Sequence, residues 1–103
     1  MARGDIEYDA ERAARHAQLL DELAPFLLPE LFVEGSSNAE RDATDALPVI
    51  WEDFDGFIER YEAMAAEVTQ LAAVAGNGHA EMAPQVVATG ESCGACHDDY
   101  RAE

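Results

Sequence analysis

The clearest pattern along the chain is a stripe of hydrophobic positions between residues 49 and 75. Its members alternate spacings of three and four residues, which is the spacing of one face of an α-helix. A second hydrophobic row, spaced by seven residues, runs beside the first and widens the stripe. The first row is Trp51, Phe54, Ile58, Tyr61, Ala65, Val68, Ala72 and Ala75, and the second is Ile50, Phe57, Met64 and Leu71. Such a wide stripe predicts a helix over 49–75 that faces more than one neighbour, as in a helix bundle.

A second helix is predicted over 9–24, before a polar loop. Asp9 is a suitable N-cap for it, and Pro25 and Pro29 disturb the pattern at its far end. Its stripe contains Ala10, Ala13, Ala17, Leu20, Ala24 and Leu27. Residues 34–47 are rich in Ser, Asn, Asp and Gly, which predicts a long loop between the two helices.

A third helix is predicted over 79–101, after the Gly76–Gly78 break, with Pro84 in or near its first turn. One face of it carries Met82, Val86, Thr89 or Gly90, Cys93, His97 and Tyr100. No segment alternates with a period of two for long enough to indicate a sheet. The fold class is therefore predicted to be all-α: an up-down antiparallel bundle in which a long loop joins the first two of three helices.

Length and charge narrow the classes of function. The chain has 103 residues, which fits one domain over 1–103. Twenty-two Asp and Glu residues face six Arg and no Lys, so the net charge is −16. This balance argues against nucleic acid and anionic membrane surfaces, which need clustered cations, and favours a basic protein partner. The segment "MARGDIEYDA" lacks the apolar region of a signal peptide.

The chemistry-bearing motif is "CGACH", residues 93–97. On a helix, Cys93, Cys96 and His97 share one face. A single disulfide is one interpretation, and a zinc site completed by His16, His79 or a carboxylate is another, although the spacing is not that of known zinc sites. The favoured interpretation is covalent haem attachment, for which C-x-x-C-H is the signature. Two thiols one turn apart can react with two vinyl groups on one porphyrin edge, and the next residue can reach the iron.

The sequence resembles the cytochrome c′ family, whose members are four-helix bundles. The resemblance rests on "YDAERAARHAQLLDELA", "DALPVIWEDFDGF" and "VVATGESCGACHDDYR", and it extends over about residues 1–103. By this resemblance the chain corresponds to the second, third and fourth helices of the family. It is therefore expected to be truncated at its N-terminus relative to the family.

The resemblance also implies roles for individual residues. One haem c would be bound covalently by Cys93 and Cys96, with His97 as the axial ligand of the iron. Arg101 would lie beside that imidazole and restrict access to its face of the ring. The family touches the haem edge or a propionate at the position of Asp45, with Thr44 as a weaker candidate beside it. Two aromatic residues, Phe32 and Trp51, would be apolar neighbours of the pocket, although ordinary core packing explains them equally well.

The function implied by the resemblance is that of a haem protein and not of an enzyme. Its iron would be five-coordinate and high-spin, would bind nitric oxide or carbon monoxide, and could also transfer single electrons. The alternatives are a low-spin electron-transfer cytochrome of the same bundle family, or an apo or zinc-bound helical scaffold. The expected partners are a diatomic gas, a basic redox protein and a second copy of the chain, and the expected location is the periplasm. Because the family's first helix normally supplies the residue over the distal iron face, the spin state is left undecided.

Overall fold

The computed structural model describes residues 1–26 and 29–103 and contains three long helices and one short one. They are α1 (Ala10–Leu23), α2 (Val49–Glu52), α3 (Phe54–Val74) and α4 (His79–Tyr100), and 3₁₀ turns occupy Ala24–Phe26 and Pro29–Leu31. Leu27, which was predicted to continue the stripe of α1, lies outside the described residues. Within the described ranges the only β-type pairing is an isolated antiparallel bridge between Ala46 and Arg101. The prediction of an all-α fold is confirmed.

The start of α1 follows from its capping residue. The Asp9 carboxylate accepts a hydrogen bond of 3.1 Å from the backbone N–H of Arg12, as an N-cap does. Ala13 and Ala17 are buried, and their small side chains allow α1 to pack closely on α3. Beyond Leu23 the chain tightens into the 3₁₀ turns around the prolines, as the sequence predicted.

The prediction of one unbroken helix over 49–75 is wrong. Asp53 interrupts it with φ −131° and ψ 54°, which separates α2 from α3. Aspartate is a poor residue for a helix interior because its carboxylate competes for hydrogen bonds. Here the Asp53 carboxylate accepts a hydrogen bond of 2.9 Å from the phenol of Tyr100 on α4. The interruption of the helix at Asp53 therefore coincides with a tertiary contact rather than with a local sequence signal.

The two hydrophobic rows differ in how deeply they are buried. Phe57 and Leu71, from the row spaced by seven, are buried, as is Ile50 on α2. In the other row Val68 and Ala75 are buried, whereas its remaining members are half-buried. The row spaced by seven therefore faces the centre of the packing, because α1 and α4 contact α3 on either side of it.

Side-chain hydrogen bonds define the direction of the helices. Thr69 on α3 donates to Asp21 near the end of α1 at 2.7 Å. Farther along the chain, Gly76 approaches Ala14, which lies nearer the start of α1. On the other side of α3, Gln85 near the start of α4 donates to Glu67 at 2.6 Å. Both neighbours therefore run antiparallel to α3, which is the central helix of an up-down arrangement.

The buried residues form two clusters at opposite ends of α3. One contains Ala13, Ala17, Leu71, Ala75 and Met82, where α1, α3 and α4 meet. The other contains Ile50, Phe57 and Tyr100, next to the end of α4 that carries the CGACH motif. The second cluster thus supports the region in which the candidate site lies. In the described part of the chain, every helix is too short or too polar to cross a bilayer.

Candidate functional site

A cavity of about 490 Å³ opens between α3, the end of α4 and the loop before α2. This volume lies in the range of small-molecule and cofactor sites. Its wall is mostly apolar, with charged and polar groups around it. The lining residues are Leu31, Phe32, Thr44, Asp45, Ala46, Ile50, Phe57, Arg60, Tyr61, Met64, Cys93, Cys96, His97, Tyr100 and Arg101.

The last two turns of α4 present the CGACH motif to this cavity. Cys93, Cys96 and His97 all line it, as their spacing on one helix face predicted. Both cysteines are free thiols and half-buried, and His97 is exposed. Burial raises the pKa of the Cys96 thiol, an effect that nearby Arg60 partly opposes. At neutral pH Cys96 is therefore held as a neutral thiol.

The loop before α2 is fastened to the chain just beyond His97. Leu47 N–H donates to the carbonyl of Tyr100 at 3.0 Å, and Ala102 N–H donates to the carbonyl of Asp45 at 2.7 Å. The Arg101 guanidinium lies 3.5 Å from the Asp45 carboxylate, with both side chains more than half exposed. These contacts bring Thr44, Asp45 and Arg101 to one side of the cavity. The hydroxyl oxygen of Thr44 accepts a hydrogen bond of 3.1 Å from the backbone N–H of Ala46.

Aromatic rings form another part of the wall. The ring of Phe57 meets Phe32 edge to face at a centroid distance of 4.8 Å, and Tyr100 at 5.2 Å. Phe32 lines the cavity, whereas Trp51 does not. The Trp51 indole donates a hydrogen bond of 3.1 Å to the carbonyl of Phe32. Trp51 therefore supports the residue that contacts the cavity and lies outside the wall itself.

Sequence reasoning missed several lining residues. Tyr61 was assigned only to hydrophobic packing, and Arg60 was not singled out. Met64 was assigned to the hydrophobic stripe, with a sixth haem ligand as its less favoured alternative. Arg60 pairs with Asp99 on α4 at 3.2 Å. A signal for it does exist in the sequence, because Arg60 follows Phe57 by three residues and precedes Met64 by four. It is thus a cation at the edge of the hydrophobic stripe.

The remaining histidines lie away from this cavity. His16 lines a second groove of about 520 Å³ between α1 and α4, with apolar residues such as Leu20, Met82 and Val86. His79 is exposed at the start of α4, and its Nε2 lies 3.1 Å from the carbonyl of Ala2. Over residues 1–26 and 29–103, no three His, Cys, Asp or Glu side chains are grouped so that they could hold a metal ion. A zinc site built from protein ligands alone therefore does not fit this geometry.

A covalently bound haem fits this arrangement better than a zinc ion does. The cavity offers two free thiols and an imidazole on one helix face, beside a wall of aromatic and aliphatic side chains. Arg60 and Arg101 supply positive charge at its rim, which suits the carboxylates of a porphyrin. The donor set and the apolar wall are those that a c-type haem requires.

Known proteins match both the sequence and the fold. The sequence model of the family described as Cytochrome C' matches residues 1–101. Cytochrome c′ of Halomonas halodenitrificans is 44% identical over 108 residues, covering 100% of this chain and 80% of that protein. Cytochrome c-554 of Cereibacter sphaeroides is 38% identical over 101 residues; the match covers 98% of this chain but only 66% of that protein's length.

Solved structures give the same result. A structure of cytochrome c′ from Rhodobacter spheriodes superposes with a TM-score of 0.95 at 36% identity, covering 99% of this chain and 78% of that one. A nitric oxide complex of a cytochrome c′ variant from Alcaligenes xylosoxidans superposes with a TM-score of 0.84 at 27% identity, covering 99% and 76% respectively. The likeness therefore extends over nearly all of this chain and about three quarters of each of those structures.

Proposed function

Because the chain belongs to the cytochrome c′ family, we propose that it is a c-type haem protein that binds diatomic gases and does not act as an enzyme. The observation that carries the proposal is the meeting of Cys93, Cys96 and His97 at one apolar cavity. The nitric oxide complex solved for a family member supports the choice of ligand class. When bound, haem supplies an iron that can take nitric oxide or carbon monoxide, or change its oxidation state.

The residues of this chain divide the work of holding the group. Each thiol of Cys93 and Cys96 would add its S–H across one vinyl double bond and so form a thioether. The imidazole of His97 would bind the iron. Since the two cysteines are half-buried on α4, the ring edge would be anchored against the helix while His97 stays near solvent.

The rim residues would contact the edge of the ring and its carboxylates. Arg101 would lie next to His97 and restrict access to it, with its guanidinium 3.5 Å from the Asp45 carboxylate. Thr44 and Asp45 would approach the haem edge from the loop. Phe32 would pack on the ring from the aromatic wall, and Trp51 would act through Phe32.

Electron transfer through a low-spin iron is the second candidate function. The observation that favours it is Met64, whose side chain lines the cavity and carries a thioether that can bind haem iron. A net charge of −16 would also steer the protein towards a basic redox partner. Met64→Leu separates the two functions. A low-spin spectrum that becomes high-spin in this variant would establish Met64 as a ligand, and an unchanged high-spin spectrum would favour gas binding.

A second copy of the chain is the proposed occupant of the exposed face of α1. Leu19, Leu20 and Leu23 are each about half exposed there, at 46%, 48% and 54%. If two α1 helices pair about a two-fold axis on this face, the leucines of each copy are buried against those of the other. Leu20→Glu should therefore dissociate the dimer in sedimentation, whereas Val87→Glu, at a position on α4 that is 58% exposed, should not. A wild-type monomer at micromolar concentration would contradict the proposal.

By family resemblance, the proposed location of the protein is the periplasm. Haem attachment is tested on protein that has matured in an oxidising compartment with haem-attachment machinery. Mass spectrometry should find one haem that survives acid-acetone extraction. His97→Ala should abolish the native absorption spectrum, whereas His16→Ala and His79→Ala should leave it unchanged because both lie outside the cavity. Haem that extracts freely, or two titratable thiols, would exclude covalent attachment.

A further inference from the structure

Tyr100 lines the cavity, and its phenol joins the end of α4 to the start of α3. Tyr100 is the last residue of α4, lies three residues after His97, and is 6% exposed. Its Oη donates a hydrogen bond of 2.9 Å to Oδ2 of Asp53. The helix end that carries His97 is therefore tied to the junction of α2 and α3.

The Asp53 carboxylate bonds to Tyr100 and does not cap its own helix. It occupies the N-cap position of α3, where an aspartate usually accepts a hydrogen bond from the first turn of the helix. Its side chain makes no such capping bond. The carboxylate is turned to Tyr100 instead, so its hydrogen-bonding capacity is used between helices.

Gly56 leaves the space in which the two side chains meet. A Cβ on Gly56 would lie 2.3 Å from Oδ2 of Asp53 and 2.7 Å from Oη of Tyr100, closer than van der Waals contact allows. Glycine is unfavourable inside a helix compared with alanine. Its presence in the first turn of α3 is explained by the close approach of these two polar atoms.

The backbone at Tyr100 is fastened as well. Its carbonyl accepts from Leu47 N–H at 3.0 Å, and two residues later Ala102 N–H donates to Asp45 at 2.7 Å. The end of α4 is thus held by its side chain on one side and by its main chain on the other. Rotation or sliding of this helix end would break bonds to both segments.

The His97 ring depends on this helix for its orientation. A histidine that binds a metal usually donates its second ring nitrogen to a carboxylate or carbonyl, which fixes the plane of the ring. Among the described residues, His79 is the histidine whose ring finds such a partner, and His97 is not. The position of the helix end therefore contributes to the direction of the His97 imidazole.

We propose that Tyr100, Asp53 and Gly56 form a latch that positions the His97 imidazole at the cavity. This inference rests on the proposed haem function and adds to it three residues outside the CGACH motif. Without the latch, the end of α4 would sample more than one orientation, and so would the His97 imidazole that it carries.

The test compares two tyrosine variants of the haem-loaded protein. Tyr100→Phe removes the hydroxyl and keeps the ring. Tyr8→Phe is the matched control, because Tyr8 also makes tertiary hydrogen bonds, to Ala75 at 2.6 Å and from Gly78 at 2.9 Å, at the far end of the bundle. Tyr100→Phe should broaden or shift the electron paramagnetic resonance of the ferric iron, and Tyr8→Phe should not. Amide exchange at Leu47 should become roughly two- to tenfold faster in Tyr100→Phe alone.

Variants of Asp53 and Gly56 test the latch independently of whether Tyr100→Phe folds. Asp53→Ala removes the acceptor and should reproduce the spectral change, whereas Asp53→Asn keeps an acceptor oxygen and should restore the wild-type spectrum. Gly56→Ala should behave like Asp53→Ala because the added methyl group forces the two side chains apart. Equal spectra for Asp53→Ala and Asp53→Asn, or equal effects of the two tyrosine variants, would overturn the latch. Absence of haem from the wild-type protein would instead overturn the proposed function.

Discussion

Phe57→Ala is expected to remove much of the stability of the fold, because Phe57 connects the core to the cavity wall. Its side chain is 4% exposed, and its ring packs against Phe32 and Tyr100. Truncating a buried phenylalanine to alanine costs about 3–5 kcal/mol, from lost transfer free energy and from the space left behind. A chain of this length is stable by roughly 5–15 kcal/mol, so the loss is a large share of the total.

Part of that cost comes from the geometry of the rings rather than from burial alone. Phe32 and Phe57 meet at 4.8 Å with an interplanar angle of 70°, an edge-to-face arrangement. Such pairs contribute about 0.5–1.5 kcal/mol beyond the area that they bury. A double-mutant cycle with Phe32→Leu and Phe57→Leu should therefore give a coupling free energy in this range.

Urea unfolding followed by circular dichroism measures these changes. Phe26→Ala is the matched control, since Phe26 is 73% exposed and its truncation should alter the free energy of unfolding by less than about 0.5 kcal/mol. If Phe57→Ala lost less than about 1 kcal/mol, or no more than the control, the packing of Phe57 between α3 and α4 would be refuted.

Three further changes test other contacts. Asp9→Ala removes the N-cap of α1 and should cost about 0.5–2 kcal/mol, whereas Asp5→Ala, whose carboxylate is 70% exposed, should cost nearly nothing in the same unfolding assay. Burial raises the pKa of Tyr61 above its ordinary value of 10.0, so the folded protein holds this proton more tightly than the unfolded chain does. The free energy of unfolding should therefore fall as the pH rises above 10.0, and Tyr61→Phe should remove part of that fall. Arg101→Ala should lower the midpoint potential in redox titration, because a positive charge near His97 favours the ferrous iron, and Asp45→Asn should raise it; equal potentials would show Arg101 to be a solvated charge.

The sequence alone was sufficient to predict the three long helices, the loop over 34–47 and the motif at residues 93–97. These features depend on short-range geometry. A helix repeats every 3.6 residues whatever surrounds it, and a cap or a glycine break acts within one turn. The same holds for Cys93, Cys96 and His97, whose common face follows from their spacing.

The tertiary structure decided which residues meet across elements. The break at Asp53 accompanies a hydrogen bond to a residue 47 positions away, which a local pattern cannot show. Arg60 lies at the cavity because α4 packs there and brings Asp99 within 3.2 Å, and Trp51 lies outside it because its indole reaches Phe32 from behind. Periodicity identifies the face of a helix, but the direction in which that face points is fixed only when neighbouring helices and loops compete to bury it.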